Sequence, residues 1–80
     1  STSKKILKDF SKDYEKIIKI NKESIEKIVN TLMDKYKTNF KGIGQPLRIA
    51  LTGSKFGPGL YNIILSLDKS ETIKRLKMIE

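Results

Sequence analysis

The sequence predicts an all-α fold, a small helical bundle in which a long helical hairpin is followed by three short helices. Two observations carry this. Apolar residues recur at helical spacing in successive stretches, and no stretch reads as a strand of useful length. Both prolines and three of the five glycines fall within residues 45–61, so the punctuation is concentrated and not spread between many short segments. Eighty residues, 1–80, make one domain or a piece of one, with a core that can be complete but small.

In chain order, Ile6, Leu7, Phe10, Tyr14, Ile17 and Ile18 fall at offsets 0, 1, 4, 8, 11 and 12, one stripe of a first helix. Glu15 and Lys19 form an i,i+4 pair in the favourable order on its solvated face. The chain turns near Ile20–Asn21. Asn21 is placed to cap a second helix, with Glu23 in its first turn. Ile25, Ile28, Val29, Leu32, Met33 and Tyr36 then repeat at 0, 3, 4, 7, 8 and 11, the most regular stripe in the chain. "KTNFKGIGQ" breaks that period with two glycines and reads as a loop. Pro46 opens a short third helix after a Gln45 cap, because its missing N–H has no intrahelical partner to lose there. Gly53 ends that helix in a left-handed conformation. A tight "SKFG" connection follows, and Pro58 opens a fourth helix that turns Leu60, Ile63, Ile64 and Leu67 inward. Asp68-Lys69-Ser70-Glu71 caps a last helix burying Ile73 and Leu76, with Ile79 at its edge.

Composition excludes several functions. The chain has no cysteine and no histidine, which removes disulfides, thiolate chemistry, soft-metal sites and the usual neutral-pH proton shuttle. No apolar run approaches the ~20 residues of a membrane span, and "STSKKILKDF" lacks a signal peptide's apolar stretch. A cytoplasmic protein without a membrane partner is expected. Asp9 with Asp13, and Glu23 with Glu26, share helix faces as paired carboxylates can, but each has lysines one turn away and reads as solvated surface. "GIGQPLRIALTG" lacks the spacing of a phosphate loop. There is no nucleophile with a base and no metal set. This segment is not itself catalytic.

Charge points to a polyanion. The net charge is +8, and the sequence pI is about 9.8. A lysine-heavy surface of 15 Lys against 2 Arg could reflect composition alone, so distribution decides. Both signs interleave in residues 1–34 and 68–80. Between Asp34 and Asp68 there is no acid, while Lys35, Lys37, Lys41, Arg48 and Lys55 supply five positive charges. Arginine offers a planar fork that grips a phosphate or a base edge, although a surface arginine can equally cover core. Gly57-Pro58-Gly59 leaves main-chain groups open to unstacked bases; the plainer reading is punctuation. Phe56 could stack on a base or fold onto the core, and Phe40 and Tyr61 read as packing residues.

"QPLRIALTGSKFGPGLYNIILSLDKSETIKRL", residues 45–76, resembles the carboxyl-terminal end of bacterial-type glutamyl-tRNA synthetases, a class I family. The likeness lies in Pro46-Leu47-Arg48, Ala50-Leu51-Thr52-Gly53, Pro58, the helix Leu60 to Leu67, and Lys74-Arg75-Leu76. The hairpin over residues 4–37 fits the same region in length and pattern. The resemblance implies an anticodon-binding helical cage that reads tRNA. It carries base contacts to Arg48 and to the turn at Gly57, Pro58 and Leu60, within a field supplied by Lys35, Lys41 and Lys55. It also implies that ATP and Mg2+ belong to a catalytic domain preceding residue 1, with no cofactor here, and that the partner is the tRNA anticodon loop, with no DNA and a monomeric protein. Asp68 stands where the family usually has glycine. The alternative is a free-standing basic helical module that binds nucleic acid without anticodon specificity.

Overall fold

The structure, a computed structural model, describes residues 2–53 and 59–78. Within them the chain forms α1 (Thr2–Glu15), α2 (Lys22–Tyr36), α3 (Phe40–Thr52), α4 (Leu60–Ser66) and α5 (Lys69–Lys77), and no strand. The all-α bundle is as the periodicity predicts. Helix lengths differ from expectation, because α3 has 13 residues and nearly matches α1 and α2.

The early start of α3 corrects the reading of residues 37–45 as a loop and of Pro46 as a first helical residue. Asn39 is the cap, and its side-chain oxygen accepts the Gly42 N–H at 2.9 Å. Pro46 therefore lies inside the helix, with no N–H to give the Gly42 carbonyl. Burial outweighs that loss. Ile43, Leu47 and Leu51 recur every four residues and are all buried, and each such burial contributes about 1.5–3 kcal/mol.

The end of α1 is the second correction. The apolar stripe predicts helix through Ile18, yet α1 stops at Glu15. Ile17 is only half-buried, and Ile18 is fully exposed at 102%. Here the chain tightens into three-residue turns, with Lys16 N–H on the Asp13 carbonyl and Ile17 N–H on that of Tyr14. The carbonyls of Glu15 and Ile17 are then met by Lys69 Nζ from α5, at 2.9 and 2.7 Å. A partner distant in sequence ends this helix, which local periodicity does not encode.

Asn21 caps α2 as expected. Its side chain accepts from Ser24 N–H at 2.8 Å, while Ser24 Oγ takes the Asn21 N–H at 3.0 Å, a reciprocal capping box. The core joins Ile6, Leu7, Phe10 and Tyr14 of α1 to Ile25, Val29 and Leu32 of α2, with Leu47 and Leu51 of α3, Ile64 of α4 and Leu76 of α5. In α5, Thr72 and Leu76 take the inward positions and Ile73 lies at the edge. Ile79 lies outside the described residues. Asp68 sits at the α5 N-cap with φ −63° and ψ 150°, an ordinary extended conformation, so the aspartate there meets no backbone strain.

Candidate nucleic-acid interface

Helix α3 organises the candidate interface. Counted from Lys41, residues Gln45, Arg48 and Thr52 stand at offsets 4, 7 and 11, one face of a helix. Lys41 and Thr52 are exposed, whereas Gln45 and Arg48 are half-buried. Arg48 lies between Leu47, which is in the core, and Ile49, which is exposed. The polar stripe thus borders the core, as expected for an arginine at its rim. Thr52 Oγ1 donates to the Arg48 carbonyl at 2.8 Å. One residue later Gly53 takes φ 77°, the left-handed exit expected of it, and its N–H meets the Ile49 carbonyl at 2.8 Å. The chain therefore leaves α3 one turn beyond Arg48. Gly57, Pro58 and Lys55 lie outside the described residues, as does Phe56.

Leu60 enters the site differently from expectation. It is the first residue of α4, and its side chain is 1% exposed, packed into the core. The residue as a whole is therefore withdrawn from the surface. The physical reason is the apolar stripe of α4, in which Leu60, Ile63 and Ile64 face inward together.

Lys35 is also corrected by space. The sequence window from 35 to 67 holds no acid, but Lys35 Nζ reaches Asp9 Oδ2 on α1 at 2.8 Å. The Tyr36 hydroxyl donates to the same oxygen. Lys35, then Tyr36, hold the Asp9 carboxyl below its ordinary range. Asp9 is therefore a paired carboxylate within a helix interface, not merely a solvated one. Beside the paired Lys35, the positive charge of the acid-free window rests, among the described residues, on exposed Lys37 and Lys41 with half-buried Arg48.

Near the start of α4, Phe40 and Tyr61 pack with ring centroids 5.8 Å apart. Phe40 remains 41% exposed. Lys22 Nζ lies 5.8 Å from the Tyr61 ring centroid, a cation–π distance. Burial, followed by the Glu26 carboxylate, pushes the Tyr61 hydroxyl above its ordinary value. Both aromatics are packing residues, as their sequence context suggests.

On the other side of α3, an open groove of about 510 Å3 runs to α5, with Ile49, Gly53, Lys74 and Met78 among its walls. At its base Arg75 Nη1 donates to the Leu51 carbonyl at 2.6 Å and its Nε to Glu71 at 3.1 Å. Sequence reasoning gives Arg75 no role beyond its place in the Lys-Arg-Leu resemblance. Its one signal is rarity, as the second of two arginines.

Residues 1–79 match the family described as "Anticodon binding domain". The chain belongs to that family. Among curated proteins this anticodon-binding domain is 61% identical over 74 residues to the glutamate–tRNA ligase of Pelagibacter ubique, covering 92% of this chain and 16% of that protein. It is 44% identical over 57 residues to glutamate–tRNA ligase 1 of Syntrophus aciditrophicus, covering 71% of this chain and 12% of that protein. With the ligase of Wigglesworthia glossinidia brevipalpis identity is 41% over 66 residues, covering 79% and 14%. The domain thus spans about a sixth of the length of the first of these relatives, and less of the other two. No solved structure is significantly similar to it. No helix among the described residues is long and apolar enough to cross a membrane.

Proposed function

We propose that this domain reads the anticodon loop of tRNA for a glutamate–tRNA ligase, a cytoplasmic and monomeric enzyme that attaches glutamate to tRNA using ATP. The observation that carries this reading is the placement of Arg48. It stands half-buried on the same face of α3 as exposed Lys41, one turn before the left-handed exit at Gly53, in a chain that matches the anticodon-binding family over residues 1–79.

The division of labour follows from the side chains. Lys41 and Lys37, with Lys55 in the connecting segment, attract backbone phosphates and orient the loop without reading sequence. Lys35 contributes less, because Asp9 already offsets its charge. The Arg48 guanidinium presents its fork to a base edge, and the rim of the core supplies an apolar border that excludes water from that contact. By the family resemblance, Gly57 and Pro58 contribute further base contacts. Leu60 anchors the start of α4 from within the core and offers no surface contact of its own. ATP, Mg2+ and the amino-acid chemistry belong to the ligase's catalytic domain. This segment supplies binding energy that depends on the anticodon.

The test is aminoacylation by the full-length ligase that carries the domain. Glutamate should be attached efficiently to glutamate tRNA and poorly when either of the first two anticodon bases is changed. Equal efficiency on native and altered anticodons would overturn the reading.

A further inference from the structure

Arg75 closes the end of the helix on which the reading site stands. The last four carbonyls of a helix have no intrahelical partner. In α3 the Ile49 carbonyl is met by the Gly53 N–H, whereas the Leu51 carbonyl is met by Arg75 Nη1, from a residue 24 positions further along the chain. A cationic donor makes this bond stronger than a neutral one. Glu71, one turn earlier on α5, takes Arg75 Nε and fixes the plane of the guanidinium. Both anchors are themselves held, because the Leu51 side chain is buried in the core and α5 is seated on α1 by Lys69. The Leu51 carbonyl lies three residues after Arg48 and two before Gly53. Through Thr52 Oγ1 on the Arg48 carbonyl, that whole turn is one hydrogen-bonded unit.

We propose that Arg75 is a positioning residue for anticodon recognition. Through the Leu51 carbonyl it sets the last turn of α3, and so the distance between Arg48 and the point where the chain leaves toward Pro58. This inference rests on the anticodon reading proposed above. Lysine at position 75 would keep the charge and could donate to one acceptor. It could not hold Glu71 and the Leu51 carbonyl with a single rigid plane.

The experiment uses the full-length ligase with Arg75→Ala, Arg75→Lys and, as a control on the reading itself, Arg48→Lys. Two quantities are measured for each. One is kcat/KM on native tRNA divided by that on tRNA altered at its first or second anticodon base; the other is Tm. Displacement of a positioned group by about 1 Å can cost on the order of a hundredfold. Arg75→Ala should therefore lower kcat/KM on native tRNA roughly ten- to a hundredfold and change it little on altered tRNA, so that the ratio narrows. Arg75→Lys should fold and narrow it less. A merely structural arginine would lower Tm and reduce both substrates alike. An unchanged ratio overturns the proposal, and the ratio for Arg75→Lys is the deciding one if the alanine variant does not fold. If Arg48→Lys narrows the ratio and neither Arg75 variant does, only the positioning inference falls. If Arg48→Lys also leaves it intact, the base-reading role of Arg48 and the inference fall together, whereas a ratio of about one in the unmodified ligase would overturn the anticodon reading itself.

Discussion

Lys35 Nζ lies 2.8 Å from Asp9 Oδ2, tying the last turn of α2 to the middle of α1. The Tyr36 hydroxyl donates to the same oxygen, so one carboxylate receives two donors from consecutive residues. Lys35 and then Tyr36 hold Asp9 below its ordinary value of 3.8. A carboxyl group depressed by folding favours the folded state above its unfolded pKa. That contribution is lost as pH falls from about 4 through the lower folded value. Asp9→Asn should therefore lower Tm at pH 7 and make the acid-side decline of Tm shallower. Superimposable acid profiles for the two proteins would show that the pairing contributes nothing.

The same contact ranks the lysines. Lys41→Gln in the full-length ligase should flatten the salt dependence of tRNA binding by somewhat less than one unit of slope, the value of one lost phosphate contact. Lys35→Gln should flatten it less, because Asp9 already compensates that charge. Equal slopes for the two variants would mean that the Asp9 pair opens when tRNA binds.

Leu32 is 1% exposed at the centre of the core. Leu32→Ala should cost ~2–5 kcal/mol in denaturant unfolding. Asn21→Ala should cost about 1 kcal/mol by removing the α2 cap. A Leu32 value below that of Asn21 would contradict the packing described.

The fold is legible where periodicity and a local cap agree. The stripe from Ile25 to Tyr36 and the cap at Asn21 place α2 from local residues alone, and the Gly53 exit needs only its position after an apolar run. Legibility ends where a distant partner outweighs local signals. Nothing near Pro46 announces that Ile43 and Leu47 together bury enough surface to carry a helix through two glycines and a proline. Nothing near Ile18 announces that Lys69 will meet the carbonyls of Glu15 and Ile17. The candidate site follows the same division. Arg48 stands out by rarity and neighbourhood, whereas the engagement of Lys35 and the bracing by Arg75 depend on residues 26 and 24 positions away.

Two glycines, one inside α3 and one at its exit, should respond with opposite sign. At Gly44 a Cβ would meet the Phe40 ring at 3.4 Å and Leu60 at 3.7 Å, ordinary contacts inside a helix. Gly44→Ala should stabilise by up to about 1 kcal/mol. Gly53 has open space around it but φ of 77°, so Gly53→Ala should destabilise by about 1–2 kcal/mol. Thermal unfolding of the two variants checks both signs. A stabilising Gly53→Ala would mean the exit from α3 is not left-handed.

The most direct measurement of the central claim is discrimination by Arg48→Lys in the full-length ligase. Lysine keeps the charge and removes the fork, which separates base reading from general attraction. With Arg48 on a base edge, aminoacylation of native tRNA should lose about 1–3 kcal/mol in kcat/KM. Loss on tRNA altered at the first two anticodon bases should be smaller, because the contact is already missing there. Discrimination left unchanged by both Arg48→Lys and Arg48→Ala would contradict the account and leave Arg48 a residue that covers the core.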